Sequence, residues 1–279
     1  MNKTLLAAVS LALTATPAFA QDETKPFTVS GSVALVTDYR FRGVSQSDEK
    51  AAIQAGFTVT HESGLYGSVW GSNLAGWGTF GGANMELDLV AGYKLAVSEG
   101  LTLDVGATWY MYPGGYDNTD FIEPYAKLSG SFGPASATLG VAYAPKQEAL
   151  GPAYLSGAGY SNNFPVPQQP GATDDNLYLW GDVSGGVPGT PVTVKAHLGF
   201  SEGNRGLGPF GTSVSPTGAY MDWMVGADLA LGPVVLGVAY VDTDISNAER
   251  QYLLPNFGST VDGSQIASGR FVGSITAAF

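Results

Sequence analysis

Glu86 and Asp88 are the two carboxylates of this sequence best placed to act together. They stand two residues apart in an alternating run, with Met85, Leu87, Leu89, Ala91, Tyr93 and Leu95 on the other face. Residues i and i+2 of a strand share a face, so both carboxylates look the same way at different heights. Two acids so placed can order cations in a narrow passage. The alternative is a wall of ion pairs, with Lys94 or Arg40 as the balancing charge. The same alternation adds further charges to that face: Asp38 ahead of the pair, then Asp104, Glu123 and Lys127. Asp182, Lys195, His197, Asp222, Asp228 and Arg270 follow. Together these are the expected lining of a lumen, with eight acids against five fixed bases.

Covalent chemistry has little to work with. The chain has two histidines and no cysteine, which removes thiolate nucleophiles and His- or Cys-rich metal centres. No Gly-x-Ser-x-Gly elbow is present. Ser201 shares a face with His197, but four strand residues separate them by about 13 Å. The loop acids Asp117 and Asp120, Asp174 and Asp175, and Asp242 and Asp244 match no full calcium-loop pattern. They read as solvated loop charge. The expectation is a protein without catalytic residues, metal or cofactor.

The lining residues need strands to position them, and period-two alternation supplies twelve. They fall at 27–41, 51–61, 65–73, 85–95, 101–111, 121–130, 135–144, 176–184, 191–201, 220–231, 234–242 and 270–279. Pro124 weakens the sixth, because proline donates nothing to a ladder. Short connections alternate with long ones throughout. The short ones are Glu62-Ser63-Gly64, 97–100, 131–134, 185–190 and Gly232-Pro233. The long ones are 42–50, 74–83, 113–120, 145–175, 202–219 and 243–268. Bacterial outer-membrane barrels have that asymmetry: an even strand count, short periplasmic turns and long outer loops. The fold expected is therefore all-β, a transmembrane antiparallel up-and-down barrel of twelve strands. The last strand, ending on Phe279, closes the cylinder against the first. A soluble sandwich would carry more charge on its outer face and would not gather its long loops at one end.

Composition agrees. Charged residues make up 13% of the chain, about half the usual share. Glycine is abundant at 39, with 14 Tyr and 13 Phe. Tyr39, Phe41, Trp109, Tyr143, Phe200 and Tyr240 near the loop ends, and Phe27, Tyr93 and Phe279 near the turn ends, would form two interfacial belts. The first twenty residues have the three parts of a secretory leader: Lys3, an apolar stretch Leu5 to Ala15, and Ala18-Phe19-Ala20. Residues 21–279 would be one barrel domain in the bacterial outer membrane. A net charge of −12 excludes nucleic acid as a partner and favours cations in any lumen.

The segment Tyr39-Arg40-Phe41-Arg42-Gly43-Val44-Ser45-Gln46 resembles the TorF family of porin-like proteins. So do Ser63-Gly64-Leu65-Tyr66-Gly67, Trp70-Gly71-Ser72-Asn73, Glu86-Leu87-Asp88, Gly92-Tyr93, Tyr220-Met221-Asp222-Trp223 and 239–244. The resemblance implies an outer-membrane β-barrel channel and carries no functional residues with it. Segment 145–173 departs from the pattern.

Twelve strands about 4.8 Å apart give a backbone diameter of roughly 24 Å and an opening on the order of 10 Å or less. The function expected is passive diffusion of small polar solutes and ions with a mild cation preference. The alternatives are an adhesive or structural barrel with a plugged lumen, and, further off, a lipid hydrolase using His197. The partners expected are outer-membrane lipid and small polar solutes or cations.

Overall fold

The computed structural model describes residues 26–116 and 118–279. The expected leader at 1–20 and Asp117 lie outside them. Twelve antiparallel strands close into one barrel, each paired with its sequence neighbours. In chain order they are β1 (Phe27–Val36), β4 (Ala52–His61), β5 (Leu65–Asn73), β6 (Met85–Ser98), β7 (Leu101–Met111) and β8 (Phe121–Phe132). Then come β9 (Ala135–Gln147), β10 (Asp174–Gly186), β11 (Val192–Gly203), β12 (Tyr220–Leu231), β13 (Val234–Thr243) and β14 (Arg270–Ala278). A small hairpin, β2 (Arg40–Phe41) and β3 (Val44–Ser45), stands apart from the barrel sheet.

Closure is made by Ser32–Val36 pairing with Ser274–Ala278. Gly31 and Phe279 extend that seam by exchanging both backbone hydrogen bonds, at 2.8 and 2.9 Å. The exterior is apolar: Ile53, Val225 and Leu139 are 63%, 63% and 68% exposed. Trp109, Tyr143 and Tyr240 toward the loop end, and Phe27, Tyr93 and Phe279 toward the turn end, also face outward. Pro124 is accommodated because the β8–β9 ladder begins one residue beyond it, at Tyr125. The Gln147 side chain takes over there, bonding both the N–H and the carbonyl of Ile122 at 2.8 Å.

The first strand departs from expectation. It ends at Val36, not residue 41, and the chain bends into the barrel. Tyr39 and Phe41 therefore leave the outer belt. Tyr39 is buried against Trp70, with ring centroids 5.4 Å apart, and Phe41 packs on Tyr110 at 5.8 Å. The physical reason is that Tyr39 and Phe41 keep the alternating period of β1 while their rings join an internal apolar core.

That core belongs to the loops. Tyr39 and Val44, Leu74, Trp77 and Phe80, Leu150 and Tyr154, Leu207 and Val214, and Leu253, Phe257 and Ile266 come from five long connections. They form two buried clusters at the loop end. Trp77 meets Phe257 edge-on at 4.9 Å, and Phe80 stacks on Tyr112 at 4.4 Å. The segment 145–173 is part of this cap: Tyr154 and Leu207 exchange backbone hydrogen bonds at 3.0 and 2.9 Å. Burial of these side chains drives the cap together, while the barrel turns its own apolar surface outward.

Candidate functional site

The lumen has two unlike halves. At the loop end, residues 37–51 enter the barrel and are held by one arginine. Arg42 adopts φ 47° and Gly43 φ 79°, so the tip of the hairpin uses left-handed backbone that favours glycine. A Cβ at Gly43 would also collide with the Thr243 methyl group. The turn sends the Arg42 guanidinium across the lumen. Its Nη2 donates to both oxygens of Glu123 at 2.6 and 2.8 Å, and Nη1 donates to Asn176 Oδ1 at 2.6 Å. It lies 4.1 Å from the Tyr178 ring centroid and 4.8 Å from that of Phe41. Tyr220 Oη donates to its carbonyl at 3.1 Å. Both Arg42 and Glu123 are buried. Burial opposes the guanidinium charge, yet the neighbouring Glu123 carboxylate raises its pKa above the ordinary value. The loop is thus tied to β8, β10 and β12 from inside.

Two further ties hold the same loop. Asp38 accepts from Ser45 at 2.6 Å and from Arg40 Nε at 2.7 Å, and Glu49 pairs with Arg270 at 2.7 Å. Asp48 and Glu49 both have positive φ, 56° and 59°, which points the Asp48 carboxylate at segment 244–269. It accepts from Thr260 N–H at 3.0 Å, from the Thr260 hydroxyl, and from Lys50 at 3.0 Å. Burial would raise the Asp48 pKa, but the hydrogen bonds from Thr260 and Lys50 prevail and lower it.

Glu86 and Asp88 point inward from β6 and are buried beneath this loop, at 2% and 6% exposure. Tyr39 Oη donates to Glu86 at 3.0 Å, and burial, reinforced by Glu86, raises the Tyr39 pKa. The expected balance by Lys94 or Arg40 is absent. Arg40 is committed to Asp38 and Glu49. Lys94 lies six residues beyond Asp88, about 20 Å along the strand, and sits over the Tyr66 ring. A cavity of ≈ 10 Å³, lined by Glu86, Tyr112, Trp77 and Val214 among others, has room for about one water.

The turn-end half is polar. Ser30, Ser32, Thr58, Ser68, Thr102, Ser129, Thr138 and Ser184 are half-buried on the inner face. Asp104 pairs with Lys127 at 3.4 Å, and Asp228 with Lys195 at 2.7 Å. His197 is bracketed by Asp182 at 2.7 Å, Asp222 at 3.2 Å and Tyr178 Oη at 2.9 Å. Ser201 instead lies beside Asn176, which donates to its hydroxyl at 3.4 Å. The loop acids cap backbone and hydroxyl groups: Asp120 accepts from Tyr112 N–H, Asp244 from Met221 N–H and Asp175 from Tyr143 Oη.

Of the candidate lining residues, Glu86, Asp88, Asp104, Glu123, Asp222 and Asp228 are buried on their strands, Lys94 and Arg270 are exposed, and Asp38 and Arg40 arrive on a loop and not on β1. Arg42, which ties the inner loop to the wall, was invisible to alternation. Its signals were only the adjacent Gly43 and the basic side chain at a strand's apparent end.

Residues 20–265 match the profile of Gcw_chp, described as a bacterial protein of unknown function. No curated protein matches the chain in sequence. Among solved structures it resembles the NanC porin, at 11% identity and a TM-score of 0.53, covering 90% of this chain and 99% of that one. It also resembles the KdgM porin, at 9% identity and a TM-score of 0.51 with the same coverage. The likeness is one of fold.

Proposed function

The chain belongs to the Gcw_chp family, and from that premise we propose that it is an outer-membrane channel for passive diffusion of small polar solutes and ions. The observation that carries this reading is the inversion of polarity: an apolar outer wall around a lumen lined by hydroxyls and charges. Such a wall suits hydrocarbon outside and water inside. The short turns and both barrel ends at Phe27 and Phe279 lie on the periplasmic side, and the cap faces outward. A leader at 1–20 would direct export. The similarity to porin folds and the TorF-like segments support the same function. Acid excess in the lumen favours cations mildly. Solutes move down their gradients, without covalent chemistry.

The 37–51 loop narrows the lumen where Glu86, Asp88 and Glu123 lie. A second reading, an adhesive or structural barrel with a plugged lumen, draws on the buried cap. Planar-bilayer recording of refolded 21–279 in a salt gradient separates the two. Discrete steps whose reversal potential favours cations support the channel. Silence of the bilayer, both with Arg42 present and after Arg42→Ala, supports the plug. Unchanged cation preference in the Glu86→Gln, Asp88→Asn double variant would remove those two acids from the selectivity filter.

A further inference from the structure

Four adjacent strands carry Tyr–Gly–Gly–Tyr on one inner row. Tyr66 pairs with Gly92, Gly92 with Gly106, and Gly106 with Tyr125. A Cβ at Gly92 would fall 2.6 Å from Tyr66 Cζ, and one at Gly106 would fall 2.6 Å from Tyr125 Oη. The glycines therefore leave space that the two rings occupy. The rings fold down over the wall and meet hydroxyl to hydroxyl. Tyr66 Oη also bonds Asp104 Oδ1 at 2.8 Å. One inward step toward the turn end, the next row reads Lys94–Asp104–Lys127. Lys94 Nζ and Lys127 Nζ sit 5.0 and 5.1 Å from the Tyr66 and Tyr125 ring centroids. Gly140 continues that row, and the Trp180 indole lies over it. The wall from β5 to β10 thus bears three aromatic rings laid against it, edged by two ammonium groups and a carboxylate. The Lys94 ammonium has no hydrogen-bond or ion-pair partner among the described residues, and the residue is exposed.

We propose that this shelf binds saccharide rings in the turn-end half of the lumen, naming the solute class of the channel reading on which it rests. A pyranose has faces made of C–H groups and a rim of hydroxyls. Aromatic surface covers the face, and polar groups placed around it fix the rim, which is the usual division of labour in a small-molecule site. Lys94 supplies a free donor, and Lys127, paired with the buried Asp104 at 3.4 Å, supplies a second ammonium along the same edge. Ammonium groups held near tyrosine faces are themselves stabilised by the ring quadrupoles, so the polar edge is built before a solute arrives. A simple cation site would not set two lysines beside one acid. A simple anion site would not need three flat rings.

The test is isothermal titration calorimetry of refolded 21–279 in detergent, with maltose as the saccharide probe and benzoate and putrescine as anion and cation probes. Saturable maltose binding is expected, weakened at least tenfold in Tyr66→Ala or Tyr125→Ala. Tyr66→Phe, which keeps the ring, should stay within threefold. Each variant is first matched to the parent by far-UV circular dichroism. Should the alanine variants fail to fold, the exposed Lys94→Gln decides, with a loss of threefold or more expected. The shelf is overturned by a parent that binds no maltose, or by tighter binding of benzoate or putrescine. Unchanged affinity in folded alanine variants or in Lys94→Gln also overturns it. Calorimetry reads binding whether or not the barrel conducts. A silent bilayer with a maltose-binding barrel sinks the channel alone, and a conducting barrel without maltose binding sinks the shelf alone.

Discussion

Arg42 concentrates more of the interior's energetics than any of the acids that alternation singles out. It is buried, doubly bonded to Glu123 and stacked on Tyr178. Removing one partner of such a pair strands the other charge without water, at a cost of about 3–5 kcal/mol. Arg42→Ala should lose about that much in urea unfolding of the refolded barrel. Arg42→Lys should recover only part of it, because an ammonium cannot reach Glu123 and Asn176 together in the fork that a guanidinium makes. Asp48 gives a pH-dependent counterpart. Its folded pKa is lowered, so its contribution is present above the unfolded value of about 3.9 and disappears as pH falls through the lower folded value. Hydrogen exchange at Thr260 should stay flat from neutral pH to about pH 4, once corrected for intrinsic rates, and rise below it. Asp48→Asn should abolish that dependence. Neither residue was legible in the sequence. Their importance comes from left-handed backbone at positions 42, 48 and 49 and from partners up to 212 residues away.

Strands were legible where one face meets an apolar medium and the other a polar one, because the two-residue period then records both environments. The runs at 65–73, 101–111 and 220–231 coincide with β5, β7 and β12 to the residue. The same rule failed at Tyr39 and Phe41. Those side chains continue the period but pack in the loop core, and a period cannot distinguish lipid from a buried interior. Segment 145–173 was legible only as a long connection. Its Tyr154 packs edge-on against Tyr160 at 5.0 Å within a core that no local pattern announces. Replacing 148–172 with a short Gly-Ser linker should enlarge single-channel conductance by uncovering the loop-end mouth. An unchanged conductance would locate the restriction wholly in the 37–51 loop.

Across the molecule, the fold is a cylinder with its polarity reversed and a loop-built core set over one end. The outer surface belongs to the bilayer reading, which makes a directional prediction about charge. Val225 is exposed midway along β12. Val225→Arg should cost ~2–4 kcal/mol in folding into lipid vesicles, the range for arginine near the bilayer midplane, and nearly nothing in a detergent that lets the guanidinium reach water. The shared facing of Glu86, Asp88, Asp104, Glu123, Asp222 and Asp228 was legible because their strands keep the same alternation. Their pairing was not, since Glu86 is met by Tyr39 and not by a lysine. The most direct test of the whole account is single-channel recording of the parent and Arg42→Ala side by side in planar bilayers. The account predicts small cation-favouring steps for the parent and distinctly larger ones once the arginine is gone. Quiet membranes in both cases, from protein that has folded and inserted, would contradict it.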